Sequence, residues 1–197
     1  MFRILNVAFF IILLLTTKAN SLIEIDITRG NLDPLPIAVS PLFQDNNSKN
    51  EIKIENIGSE ISSVVENNLK TSGLFNPLSK EAFLQKPDIA HLKPRFEDWA
   101  LINAQALITG KVTIENKKLK VEFRLWDILA GREMMALAFT TVPSNWRRVG
   151  HIITDKVYQR LTGEKGYFDT RIIYVSEEGP KTQRIKKLAI MDQDGFN

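Results

Sequence analysis

The chain has 197 residues, 44% hydrophobic and 25% charged; this balance excludes wholesale disorder and suffices for one good core, or one and a half domains. It contains no cysteine, which excludes disulfides, thiolate metal sites and cysteine nucleophiles but not an oxidising compartment. The formal net charge is +3, too small to indicate a polyanionic partner by itself.

The first 21 residues follow the three-part plan of a secretory signal peptide. The positive segment Met1–Arg3 precedes the apolar run Val7–Leu15, and the small residues Ala19 and Ser21 stand where a signal peptidase reads the chain. A helix of this apolar length reaches only about 14 Å, against roughly 30 Å of hydrocarbon in a bilayer. We therefore expect cleavage before Leu22 rather than an uncleaved membrane anchor.

The charge of the predicted mature chain argues against a nucleic-acid partner. Cleavage would remove Arg3 and Lys18 and lower the net charge from +3 to +1. The remaining basic residues are dispersed along the chain, whereas proteins that bind nucleic acid concentrate them on one face.

A short strand with strict alternation opens the predicted mature chain. Residues 22–28 read LIEIDIT, so three isoleucines would share one face and the polar side chains the other. Turn residues at 29–34 separate this strand from the next element. The pattern alone favours an edge strand of its own domain. The alternative is a detachable strand that pairs with the sheet of a partner.

The next elements alternate between strand and helix. The nearly all-apolar run Pro36–Phe43 predicts a strand covered on both faces, and a polar loop follows at residues 44–50. Apolar residues at helical spacing then predict a helix over Ile54–Thr71, with Gly73 as its C-terminal cap.

An irregular segment, residues 76–95, separates this part from a meander. A short helix is predicted over Phe96–Ala104. Three strands then follow, joined by turns at Asn116-Lys117 and Ala130-Gly131, which predicts antiparallel pairing. The strands are Ala106–Ile114, Leu119–Ile128 and Met134–Val142.

The middle strand and the last helix both have one apolar face. Leu119, Val121, Phe123 and Leu125 alternate with charged residues, which indicates one covered and one wet face. Pro143-Ser144 then caps a helix predicted over residues 145–161 and ended by Gly163.

These elements predict a small α/β (α+β) domain with a mixed sheet and two to three helices over residues 35–166. Residues 167–197 differ in character. Arg171–Ser176 and Ile185–Met191 read as two strands around a loop, and no helix accompanies them.

The sequence contains no combination of residues typical of a catalytic site, so we expect no catalytic residue, no cofactor and no metal site. His91 and His151 have no second ligand at i+3 or i+4, and both are predicted to be surface imidazoles. No glycine-rich phosphate loop or serine nucleophile elbow occurs.

Two further features have simple structural interpretations. The stretch from Asp192 to Gly195 contains calcium-like acidic spacing, but it lacks the remaining ligands of such a loop and predicts a hairpin turn. The basic pairs Arg147-Arg148 and Lys186-Lys187 are predicted to lie on solvated faces of a helix and a strand.

Several stretches, taken in order, resemble the TolB family, the periplasmic component of the Tol-Pal envelope system of Gram-negative bacteria. The signal peptide precedes LIEIDITRG and PIAVSPLF, and TSGLFNPL, ALITGKV and the Trp126-Asp127 strand follow. The run LTGEKGYFDTRIIYVS completes the series. The resemblance covers essentially the whole chain, and it depends on the collinear order rather than on one motif.

The resemblance implies a fold and a role. TolB-like proteins carry an α/β domain followed by a six-bladed β-propeller, so residues 167–197 are expected to begin a first blade that the chain does not complete. The family is non-enzymatic and links TolA to the lipoprotein Pal in outer-membrane integrity and cell division, touching membranes only through these partners. The propeller binds Pal.

The N-terminal strand inherits a TolA-binding role from the resemblance, which shifts the expectation toward the detachable strand. Residues 22–34 would form this partner-binding strand and its linker. The expected contact residues are Leu22, Ile23, Glu24, Ile25, Asp26, Ile27, Thr28 and Arg29.

Two competing functions remain. The α/β topology is similar to that of anticodon-binding domains, so an exported nucleic-acid-binding module is one alternative, although the signal peptide and dispersed charge disfavour it. An exported hydrolase is the other, and it would have to work without either histidine.

Overall fold

The computed structural model describes Ile23, Ile25, residues 33–44 and residues 56–196. The signal peptide, most of the N-terminal strand and the predicted start of the first helix lie outside these residues. The described strands are β1 (Leu35–Val39), β2 (Phe43–Gln44), β3 (Phe75–Pro77), β4 (Ala106–Glu115), β5 (Lys118–Asp127), β6 (Arg132–Thr141), β7 (Arg171–Glu178) and β8 (Ile185–Asp192). The described helices are α1 (Ile57–Thr71), α2 (Pro87–Ala90), α3 (Phe96–Leu101) and α4 (Trp146–Thr162).

The main sheet is mixed, as the sequence predicts. Its strand order is β3-β1-β4-β5-β6, and β2 pairs with β4 beyond the end of β1. Strands β1, β2 and β3 run parallel to their neighbours, whereas β4, β5 and β6 form an antiparallel meander. Asn116 and Lys117 both have positive φ, with values of 50° and 60°, which is the geometry of the tight hairpin turn predicted there.

Helices α1 and α4 cover one face of this sheet. The buried side chains of β5 on this face are the predicted ones, from Leu119 to Leu125. The two helices approach closely at Gly150, where an added Cβ would lie 2.9 Å from Cγ1 of Val64. Lack of a side chain at this position therefore lets α1 and α4 lie side by side.

A second, smaller core covers part of the opposite face. Ala38 and Leu107 point to this side from β1 and β4, and Trp99 of α3 packs with them. Gln85 holds the irregular segment in place, because its Oε1 accepts hydrogen bonds from Trp99 Nε1 at 3.0 Å and from the Arg95 amide at 2.9 Å. Within the described residues, no helix is long and apolar enough to cross a membrane.

Besides shifts of one or two residues at the ends of β4, β5, β6 and α4, three features differ from the sequence predictions. The strand predicted over Pro36–Phe43 forms as β1 and β2, interrupted near Pro41, which has no N–H to donate to a ladder. The short helix ends at Leu101 rather than Ala104. Strand β3 was not predicted, since three residues carry no readable period, and only its pairing with β1 defines it.

Strands β7 and β8 form a separate two-stranded antiparallel sheet. Apolar side chains on both of its faces are exposed: Leu188 at 78% and Ile173 at 65% of their full accessible surface on one face, and Ile172 at 42% and Tyr174 at 37% on the other. The strand predictions at 171–176 and 185–191 are confirmed, each extended by one or two residues at its C-terminal end.

The segment that joins α4 to this hairpin is anchored on the helix. Asp155 accepts hydrogen bonds from the amides of Phe168 at 2.7 Å and Asp169 at 3.2 Å. Phe168 is buried, and its ring packs edge-on against Tyr158 at 5.7 Å. Residues up to Asp169 therefore pack with the α/β core, beyond the predicted boundary at 166.

The two faces of β5 generate a stability prediction. Phe123→Ala should lower the free energy of unfolding by about 3–5 kcal/mol, because it leaves a cavity in the main core. Glu122→Ala, at the next position but on the partly exposed face, should change it by less than about 0.5 kcal/mol. Chemical denaturation of both variants would check this, and equal losses would contradict the assigned faces.

Candidate functional site

Ile25, from the segment predicted as the N-terminal strand, lies at the C-terminal end of helix α4, and neither Ile23 nor Ile25 belongs to a strand in the structure. The backbone N–H of Ile25 donates a hydrogen bond of 2.7 Å to the carbonyl of Leu161. Both Ile23 and Ile25 are half-buried and pack against the main core. The last carbonyls of a helix have no partner within the helix, so this segment satisfies a group that would otherwise face solvent.

The other predicted contact and cleavage residues lie outside the described residues, and their roles stay predictions. The set comprises Ala19, Ser21, Leu22, Glu24, Asp26, Ile27, Thr28 and Arg29.

The prediction of two surface histidines is wrong. His151 is 2% exposed and His91 is 9% exposed. His91 stacks on Phe43 at 4.5 Å and its Nδ1 lies 3.0 Å from the Pro87 carbonyl. His151 is buried because α1 and the turn after β8 cover its side of α4.

A buried polar cluster surrounds His151. Its Nδ1 lies 2.9 Å from Nδ2 of Asn68 on α1, and the same amide nitrogen donates to Thr154 Oγ1 at 3.3 Å. Gln193, in the turn after β8, donates to Oδ1 of Asn68 at 3.1 Å. The cluster therefore joins α1, α4 and the hairpin.

An ionic group borders this cluster. Arg147 donates from Nε to Asp192 Oδ2 at 3.3 Å, and its Nη2 hydrogen-bonds Oδ2 of Asp194. The Arg147 guanidinium also lies over the Phe196 ring, 3.9 Å from its centroid. The prediction that Arg147 lies on a solvated face is wrong, since its side chain is only 18% exposed. Arg148, by contrast, is mostly exposed.

The ionisation of Asp194 reflects two opposing causes. Burial acts to raise the pKa of this carboxyl, but the hydrogen bond from Arg147 and the Phe196 amide outweigh it, so the pKa lies below its ordinary value. Asp194 is therefore ionised when the turn is docked. The sequence predicted a hairpin turn here but not this ionic contact.

One group of side chains among the described residues has the composition of a metal site. Ligand atoms of His151, Asp192 and Asp194 all lie within 4.8 Å of one another. Sequence analysis missed this group because 41 or more positions separate the histidine from the aspartates. The acidic turn and a histidine on an amphipathic helix were visible, but nothing in the sequence brought them together.

Comparison with known proteins identifies the family. The model of the TolB amino-terminal domain matches residues 23–134, which is more than half of the chain. The chain belongs to the TolB family. The match begins at Ile23, inside the N-terminal strand, and ends in β6.

Individual TolB relatives agree with this assignment. The chain is 75% identical over 198 aligned residues to the Tol-Pal system protein TolB of Pelagibacter ubique (strain HTCC1062), covering 98% of this chain and 44% of that relative. A crystal structure of TolB from Acinetobacter baumannii matches with a TM-score of 0.67 at 25% identity, over 83% of this chain and 37% of that one. The chain thus spans less than half the length of these TolB proteins.

Docking of the hairpin turn should depend on pH through Asp194. Because its pKa is lowered in the docked state, its contribution is present above the ordinary aspartate pKa of about 3.9 and is lost as the pH falls through the lower docked value. At pH 7, Asp194→Asn should speed amide exchange in β7 and β8 by roughly tenfold, as expected from losing a charged hydrogen bond.

Hydrogen exchange followed by mass spectrometry, corrected for intrinsic rates, would measure this effect. Glu178→Gln is the matched control, since Glu178 pairs with Lys187 on an exposed part of the same hairpin. An Asp194→Asn variant with wild-type protection at pH 7 would show that the carboxylate does not hold the turn.

Proposed function

We propose that this chain acts in the periplasm as a non-enzymatic interaction protein of the Tol-Pal system. Its N-terminal strand would bind TolA, whereas binding to Pal would require the propeller, of which residues 167–197 are expected to form only the start. In this role the protein supports outer-membrane integrity and the invagination of the envelope during cell division. Family membership and the name of the Pelagibacter relative support the assignment to the Tol-Pal system.

The contact of Ile25 with the C-terminal end of α4 is the observation that supports the TolA-binding role. Among the described residues of this segment, attachment to the α/β core consists of one backbone hydrogen bond and two half-buried isoleucines. One hydrogen bond contributes about 0.5–1.5 kcal/mol net. A partner that offers a full strand ladder and deeper isoleucine pockets can therefore compete with this attachment.

The exposed hairpin supports the proposed domain division. An isolated two-stranded hairpin is marginally stable in water. Further strands could pack over the apolar side chains that are exposed on both of its faces. The TolB relatives have more than half of their length outside the region this chain matches. Residues 167–197 would then begin a propeller, with Tyr167–Asp169 anchored to α4.

Export generates a direct prediction. Signal cleavage before Leu22 should give a periplasmic form whose N-terminal sequence reads LIEIDIT. Edman sequencing of the protein released from the periplasm would check this. A chain that keeps Met1 and fractionates with membranes would contradict export with cleavage.

The TolA-binding role predicts that one negative charge placed on the predicted N-terminal strand weakens binding. Ile25→Asp should weaken binding to the C-terminal domain of TolA by more than about 1 kcal/mol, because it places a carboxylate on the apolar face of the strand. Calorimetric titration of that domain into the chain would measure the loss, and thermal unfolding would check that the variant stays folded, since Ile25 packs against the main core.

Leu101→Asp is the matched control for this experiment. Leu101 is 74% exposed at the end of α3, on the side of the smaller core, so the same substitution there should leave TolA binding unchanged. A chain that starts at Asp33 and still binds TolA with wild-type affinity would refute the role of the strand.

A further inference from the structure

We propose that His151, Asp192 and Asp194 form a binding site for one divalent transition-metal ion, which joins helix α4 to the turn after β8. This departs from the expectation, drawn from the sequence, of no metal site. It is independent of the TolA- and Pal-binding roles proposed above. A mixed set of one imidazole and two carboxylates suits Zn²⁺ and chemically similar ions.

The buried imidazole is the first observation. The side chain of His151 is 3% exposed, and its Nε2 has no hydrogen-bond partner. This atom faces the acidic turn, 3.6 Å from Oδ2 of Asp192. Buried polar atoms in proteins nearly always have a partner, so an orphaned ring nitrogen aimed at two carboxylates requires an explanation.

The spacing of the donors is the second observation. Ligands at about 2.1 Å around a tetrahedral ion lie roughly 3.4 Å apart. The His151–Asp192 separation of 3.6 Å is already close to this value. The third donor, on Asp194, lies within 4.8 Å of the others. The Asp194 carboxylate would therefore have to move by about 1 Å to reach the ligand spacing of a tetrahedral ion.

The groups behind His151 can orient it for coordination. A ring that binds metal through Nε2 must carry its hydrogen on Nδ1 and donate it to an acceptor. The amide of Asn68 can present its oxygen there after a half-turn, and Thr154 and Gln193 can exchange donor and acceptor roles to match. The polar cluster can therefore accept a hydrogen on Nδ1, although the Thr154 hydroxyl, which donates to the Gly150 carbonyl at 2.9 Å, would then have to turn toward Asn68.

Arg147 is the competing cation at this place. It contacts one oxygen of each aspartate, but an ionised carboxylate has about four lone-pair positions. Arg171 lies 3.8 Å from Asp192 and is mostly exposed, so solvent screens its charge. One buried guanidinium between two carboxylates leaves a net negative charge beside the ring nitrogen, which favours a cation.

Calorimetric titration of ZnCl₂ into the purified, untagged chain at neutral pH tests the proposal. We expect one saturable site, and His151→Gln should weaken it at least tenfold. His91→Gln is the matched control, since His91 is the only other histidine of the chain and its ring stacks on Phe43. Asp194→Asn should also weaken binding, which keeps the test valid if the histidine variant unfolds.

A second readout separates this site from adventitious surface binding. Zinc should slow amide exchange in β7 and β8, because the ion links the hairpin to α4, and X-ray absorption should show one imidazole nitrogen together with oxygen ligands. Wild-type zinc affinity in the folded His151→Gln variant would overturn the proposal. Failure of the wild-type chain to saturate below about 1 mM Zn²⁺, well above the range of specific sites, would overturn it as well.

Discussion

The packing of helix α4 against the sheet is the constraint on which the rest of the molecule depends. Val149, Ile153, Val157 and Leu161 recur every four residues, and each is at most 3% exposed. Four buried aliphatic side chains at about 1.5–3 kcal/mol each fix the rotation of the helix about its axis. Every other group on α4 then points in a direction set by this stripe.

The two ends of α4 present different chemistry as a result. Its C-terminal end offers the Leu161 carbonyl, which receives the amide of Ile25. Near its N-terminal end, Arg147 and His151 face the turn after β8. Near its middle, Asp155 binds the segment that leads into the hairpin. The hairpin is thus held to the α/β core by polar and ionic contacts, whereas the segment before it packs the rings of Tyr167 and Phe168 against Tyr158.

The contacts of α4 can be compared with the region of the chain that the TolB family model matches. The family match covers the predicted N-terminal strand and most of the main sheet, and the aligned region makes up 44% of the Pelagibacter relative. Polar docking of the hairpin differs from the apolar packing within the core, because hydrogen bonds and ion pairs depend on pH and on competing ions. The docking of the turn after β8 is therefore expected to respond to solution conditions more strongly than the packing of the core.

Local periodicity accounts for the parts of the fold that could be predicted. Alternation in β5, the helical stripe of α4 and the Asn116-Lys117 turn each involve neighbours in sequence, so their physical preferences are visible without a structure. The mixed sheet followed from the order of these elements. Strand β3 escaped prediction because three residues that gain hydrogen bonds only from β1 have no period of their own.

The sequence by itself determined the apolar faces and the absence of cysteine chemistry, since each depends on composition or on spacing along the chain. Only the tertiary structure decided that His151 is buried, that Arg147 binds Asp192 and Asp194, and that Asn68 completes the cluster. The physical reason is that burial and electrostatic partners of a polar side chain come from other elements. Close approach of α1 and α4 at Gly150 and the anchored path of the chain after α4 bring those elements together.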